Sequence, residues 1–179
     1  MTFEEFNHLA GGVESLATVL ALAVGAYWTY TRFIKQRENY AFIEFTVDMN
    51  FVGRQDGKWI IELIAYLENK GKVQHQFSDL SFDLAALFRG DPVESSQKFG
   101  GQALFPHEIS RRPWIPPGNY FIEPGVKAKY SYVAHLPEEA TYAMLHGHFT
   151  YGDQPAWHAA ERTLAVPTDP SFKSTAGTQ

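Results

Sequence analysis

Between Glu14 and Arg32 the chain carries no charged side chain, and that gap constrains whatever is built around it. As a helix, the 17 residues Ser15 to Thr31 would rise about 25 Å at ~1.5 Å per residue. A hydrocarbon core is roughly 30 Å thick. With Val13 and the interfacial ends added, residues 13–31 are expected to form a transmembrane helix. Tyr27, Trp28 and Tyr30 gather at its end, and Arg32, Lys35 and Arg37 come next as interfacial anchors, the aromatic and basic order of a membrane–water boundary. A secretory leader would need basic residues ahead of the apolar run, and the first 31 residues contain neither Lys nor Arg.

Charge gives the expected orientation. Lys and Arg number zero before the span and three just after it. The positive-inside rule therefore places the N-terminus outside and the C-terminal domain in the cytoplasm of a cell-membrane protein, at the inner membrane in a bacterium. Residues 1–12 form a short extramembrane tail and residues 32–39 a basic juxtamembrane linker. Within the span Ala17, Ala21 and Gly25 recur every four residues. Small side chains at that spacing let a second helix approach closely. No His lies between Val13 and Thr31, so the helix offers no imidazole to a haem or a chlorophyll.

Past residue 40 the period changes from helical to two. Ile43, Phe45, Val47, Met49 and Phe51 alternate with Glu44, Thr46, Asp48 and Asn50, the pattern of a half-buried strand. Gly53-Arg54-Gln55-Asp56-Gly57 reads as a hairpin turn, and Trp59, Ile61, Leu63, Ala65 and Leu67 line one face of the return strand. Further strands are expected from Val73 to Leu84 with a register break near Asp79, and from Gly101 to Phe105. Others are expected over Val126 to Tyr132, Tyr142 to Tyr151 and Trp157 to Val166. The prolines 106, 113, 116, 117 and 124 argue against a central strand between His107 and Pro124.

Seven or eight short strands separated by turns predict an all-β antiparallel sandwich over residues 40–166, with a flexible tail at 167–179. The alternation and the Glu68-Asn69-Lys70-Gly71 turn are loosely similar to immunoglobulin-like domains in general. With no Cys in the chain, the inter-strand disulfide usual in such domains is missing.

The remaining composition excludes more than it proposes. A net charge of −5 and a pI near 5.8 speak against nucleic acid, whose phosphates need clustered Lys and Arg. Without Cys there is no thiol nucleophile and no zinc–thiolate site. No nucleophile elbow and no phosphate-binding glycine loop is present. The chain is therefore expected not to be an enzyme and to need no cofactor or small-molecule substrate. No metal is expected; His146 and His148 on one strand face, with His158 on the next strand, are the residues that would hold copper or zinc if one were bound. The loop residues Arg111, Arg112 and Trp114 combine two cations with an indole and are candidate partner contacts.

Together these features lead to the expectation of an accessory subunit of an integral-membrane complex, of the respiratory or photosynthetic energy-transducing kind. Its partners would be other membrane subunits and the lipid bilayer, its helix packing through Ala17, Ala21 and Gly25 while the sandwich caps the cytoplasmic face. The alternative is an anchored adaptor that captures a soluble protein through loops or an edge strand. A copper- or zinc-binding sandwich is the third possibility.

Overall fold

The computed structural model describes residues 3–35, 42–96, 100–152 and 156–168, with side chains from Ser15 to Arg32 in the first stretch. The chain divides into two compact units, Met1–Ala41 with Gly71–Val73, and Phe42–Lys70 with Gln74–Gln179.

In the first unit, helix α1 spans Phe3–Thr29 and runs into a π-helical turn at Tyr30–Lys35. The helix thus begins ten residues before the expected span (Val13 against Phe3), and residues expected to form a tail are helical. Among the described residues no helix is long and apolar enough to cross a membrane, which overturns the transmembrane helix. Uncharged is not the same as apolar. Only Leu16 to Ala26 is close to continuously apolar, about 16 Å of helix at ~1.5 Å per residue, half of what a bilayer requires. Glu4, Glu5, Asn7, His8 and Glu14 precede it, and Thr29, Tyr30 and Thr31 dilute its C-terminal side. The membrane localisation and the inside–outside assignment fall with the span. Tyr27, Trp28, Tyr30, Arg32 and Lys35, expected as interfacial anchors, lie at the end of α1 and in the π-helical turn; Arg37 lies outside the described residues.

The second unit is antiparallel β-sheet throughout. Strand β1 (Ile43–Gln55) and β2 (Lys58–Asn69) form a hairpin whose two-residue turn, Asp56-Gly57, has φ of 52° and 69°. Two consecutive positive φ values are the turn that matches the right-handed twist of a hairpin, and glycine reaches the second at little cost. β3 (His75–Phe88) carries a bulge between Ser78 and Ser81, with Asp79 at φ 52°, where the register break was expected. β4 (His107–Pro113) and β5 (Tyr120–Ile122) are two strands in the proline-rich stretch. Both lie on the same edge of β3, and an edge is where proline is tolerated, because no outward ladder bond is required. β6 (Lys127–Pro137), β7 (Ala140–Tyr151) and β8 (Trp157–Ala165) complete the order. The strand expected at 101–105 is reduced to one bridge, Ser95 with Ala103, and the expected tail lies outside the described residues from 169 onward.

The strands make two sheets. One is β1-β2-β6; the other is β4-β3-β7-β8, with β5 beside β4 on β3. β6 and β7 are joined by the tight Glu138-Glu139 turn, yet they lie in different sheets. Ring contacts tie the inner faces into one core: Phe45 meets Phe149 at 5.3 Å edge-on, and Phe82 meets Tyr132 at 5.0 Å. The alternating apolar positions from Ile43 to Phe51 and from Trp59 to Leu67 are all buried, so their periodicity is the burial pattern itself.

One polar group inside is unsatisfied. His75 is 3% exposed, and its Nε2 has no hydrogen-bond partner among the described residues, whereas buried Asn69 donates to the Ile122 carbonyl at 3.0 Å. A buried unpaired nitrogen costs about 1–3 kcal/mol. His75→Leu should therefore leave thermal stability unchanged or raise it; a fall of more than about 2 kcal/mol would show that the imidazole is needed.

Candidate functional site

The expected contact trio does not converge. Trp114 is buried at 7% exposure, and its Nε1 donates to the Leu63 carbonyl at 3.3 Å across the core. An indole with its one donor satisfied is a core residue, which corrects its expected place on the surface. Arg111 and Arg112 are neighbours on a strand, so their side chains leave opposite faces. Arg111 lies opposite Asp83 on the outer face and pairs with it, while its Nη2 is 3.0 Å from Glu108 Oε2. Arg112 lies opposite buried Phe82, which places it on the inner face at the sheet's rim. It is exposed, and among the described residues it makes no ion pair.

The three histidines are also split. His146 and His148 share the outer face with their rings 5.9 Å apart. His158 is opposite Phe149, stacks on it at 5.7 Å and sits 3.4 Å from the Tyr151 hydroxyl, on the inner side. Pairing across the turn alternates faces, and the register puts Glu161, not His158, against His146.

The outer face instead holds a cross-strand row: Arg111, Asp83, His146 and Glu161 on four successive strands. His146 Nδ1 is 2.9 Å from Glu161 Oε1, and Gln102 donates to the other Glu161 oxygen at 2.9 Å. Burial pushes the Glu161 carboxyl up, but Gln102 and His146 outweigh it and hold it below its usual value near 4.5. On the other sheet burial likewise opposes hydrogen bonds from Lys129, Ser131 and Asn50 at Glu62, and the net shift is again downward. Carboxyls depressed in the folded state stabilise it above the unfolded value and lose that effect as pH falls through the folded one. Urea midpoints should therefore drop below about pH 4.5. Glu62→Gln with Glu161→Gln should flatten that acid limb, by up to about 1 kcal/mol for each partly exposed group; an unchanged limb would refute the assignment.

The two small-residue and aromatic sets of α1 remain on its surface. Leu20, Ala21, Val24, Gly25 and Trp28 line a shallow apolar groove, and a Cβ added at Gly25 would meet nothing within 4 Å. Ala17 lies one turn earlier on the same side. Arg32 places its guanidinium 5.3 Å from the Trp28 ring centre.

What periodicity did not point to is the edge of β6. Sheet edges are normally blunted by bulges, proline, charge or brevity. β1 has a bulge between Phe51 and Gly53, and its Asp48 is bridged by Arg162 of β8 at 3.5 Å. β4 has seven residues, a broken register, two arginines and a terminal proline. β6 also carries two cations, Lys127 and Lys129, and ends in Pro137, but it is longer and regular: 11 residues pair with β2 without a shift, from Lys127 opposite Glu68 to Pro137 opposite Lys58. Among the described residues no strand pairs with its other edge. Of its inner row Leu136 is buried, but Ala128, Tyr130, Tyr132 and Ala134 are only half-buried, while the inner rows of β1 and β2 are buried. The core is thus open along β6. Facing the gap from the other sheet are Tyr120, Ser110 and Arg112, all accessible. Burial, and then neighbouring Tyr120, push the Tyr130 hydroxyl above its ordinary range.

No family model matches the chain, and no curated protein matches it. Among solved structures, a Bordetella pertussis protein described as ApaA is 14% identical with a TM-score of 0.46, over 72% of this chain and 97% of its own. The sporulation control protein Spo0M of Bacillus subtilis is 12% identical at 0.39, over 68% of this chain and 48% of its own. A protein of Archaeoglobus fulgidus is 10% identical at 0.34, over 70% and 98%. Likeness this distant concerns the course of the strands alone, and nothing about function is drawn from it.

Proposed function

We propose that this chain is a non-catalytic binding module, a β-sandwich immunoglobulin-like only in the loose sense, that takes an extended segment of a partner protein along β6. One observation carries the reading: among the described residues β6 is the longest edge in unbroken register, 11 residues with no bulge, covering strand or central proline, against nine in β8, the other regular edge. Adding a strand there satisfies open backbone groups and covers the half-buried inner row, the strand-addition mode of peptide recognition. A photo-reactive phenylalanine analogue at Val133, 66% exposed on β6, should form a discrete adduct in cells that express the protein. The same probe at Ser81, on the outer face of β3, should not. Equal labelling from both positions, or none from Val133, would sink the proposal.

A second reading, a structural subunit of a larger complex joined through α1, is favoured by the exposed apolar groove around Ala21 and Gly25. Ala21→Leu with Gly25→Leu should release the partner under that reading and leave it bound under the first. Co-purification of the partner with each variant separates them.

A further inference from the structure

We propose that the segment received along β6 carries a carboxylate, Asp or Glu, which pairs with Arg112 inside the gap. This rests on the strand-addition reading and specifies its ligand. Phe82 and Tyr132 face one another across the core at 5.0 Å between ring centres. Arg112 is one strand beyond Phe82 on the inner face of its sheet. A strand added to β6 would lie one strand beyond Tyr132, at the usual spacing of ~4.8 Å. The residue of that strand in register with Tyr132 therefore comes to face Arg112 across the same interval that separates the two sheets, ~10 Å between backbones.

The surroundings leave Arg112 as the group that sets the sign. Arg111 is neutralised on the opposite face by Asp83 and Glu108. Lys129 is held by Glu62 at 3.1 Å, also on the outer face. Tyr120, Tyr130 and Tyr132 supply apolar walls, and Ser110 lies next to Arg112 along the inner face of β4. A guanidinium at the rim of a half-closed aromatic gap selects a planar anion that can take two of its N–H groups at once. An added strand with an apolar or neutral residue there would leave that cation against an uncharged wall. A lysine or arginine there would be repelled.

The probe is a display library of random 12-residue peptides selected on the immobilised full chain. Selected peptides should share an alternating apolar pattern with one Asp or Glu on the inward-facing set. Arg112→Gln should weaken them about 10- to 100-fold, and Arg111→Gln should leave them unchanged. Synthetic versions N-methylated at odd or at even positions separate the two parts of the proposal, because a strand uses only alternate amides toward its neighbour. If one set abolishes binding and the other does not, but Arg112→Gln has no effect or the peptides lack an acid, strand addition stands and the carboxylate falls. If both sets act alike, or no peptide is selected, both fall. A dimer in solution whose protomers cross-link β6 to β6 would assign the edge to a second copy and overturn the peptide ligand.

Discussion

Replacing Trp114 by alanine should cost about 3–5 kcal/mol, on the order of 10 °C in melting temperature for a protein of this size. Its ring lies 5.0 Å from Phe82, and its nitrogen is bonded to the Leu63 carbonyl on the facing sheet. Truncation therefore opens a cavity and removes a buried hydrogen bond between the sheets together. The backbone would still be held by the bond from the Trp114 amide to the Leu80 carbonyl at 2.9 Å, so the loss should appear as reduced stability of the same fold. Arg111→Ala, close by in sequence beyond Arg112 and Pro113, breaks only exposed ion pairs and should cost far less. Urea unfolding of the two variants side by side tests this ordering. A Trp114 variant no weaker than the Arg111 variant would place the indole outside the core. The same variant bears on the proposed site, because Trp114 closes the inner end of the strand that presents Arg112.

The second large effect is expected at Gly147, in the middle of β7. A Cβ there would stand 2.6 Å from Val47 Cγ1, 3.0 Å from Phe45 Cζ and 3.0 Å from Trp114 Cη2. Its backbone is ordinary strand, so the requirement is for space, not for a special φ. Gly147→Ala should destabilise by about 1–3 kcal/mol through overpacking, and Gly147→Val by more. Val47→Ala makes the room back: in a double-mutant cycle the pair should couple favourably by about 1 kcal/mol or more. Strict additivity would show that the sheets part at no cost. Gly147 and Trp114 are complementary, since the indole edge occupies the volume that a side chain at 147 would fill.

Much of the sheet unit is legible in the residues themselves. The strict alternation from Ile43 to Phe51 matches burial, and the face Trp59, Ile61, Leu63, Ala65 and Leu67 is buried throughout, with Ile64 of the other face buried as well; a strand's period of two does not depend on its neighbours. The turn expected over Gly53 to Gly57 narrows to Asp56-Gly57, because Gly53, Arg54 and Gln55 pair within β1 after its bulge, and the expected break at Asp79 is a bulge with positive φ. Charge-free composition was a poorer guide. The stretch after Glu14 is helical, but Thr, Tyr and Trp count as uncharged without contributing the apolar length that a bilayer demands.

The site was far less legible, and the reason is geometric. Arg111-Arg112-Pro113-Trp114 reads as one cluster along the chain, yet pleating sends Arg111 outward and Arg112 to the inner rim, and the indole ends in the core. His146, His148 and His158 separate in the same way, because the hairpin register, and not residue spacing, decides which face the second strand presents. The open edge of β6 leaves no local signature at all: its alternation resembles that of any paired strand. Local chemistry, acting over a few residues, determined which segments extend, where they turn and which face is apolar. The tertiary structure decided that β6 joins β2 while β7, its neighbour across a tight turn, joins β3. Long-range packing of Phe82 with Trp114 and Tyr132 joins the two sheets there, and this arrangement leaves the β6 edge unpaired among the described residues, beside an arginine.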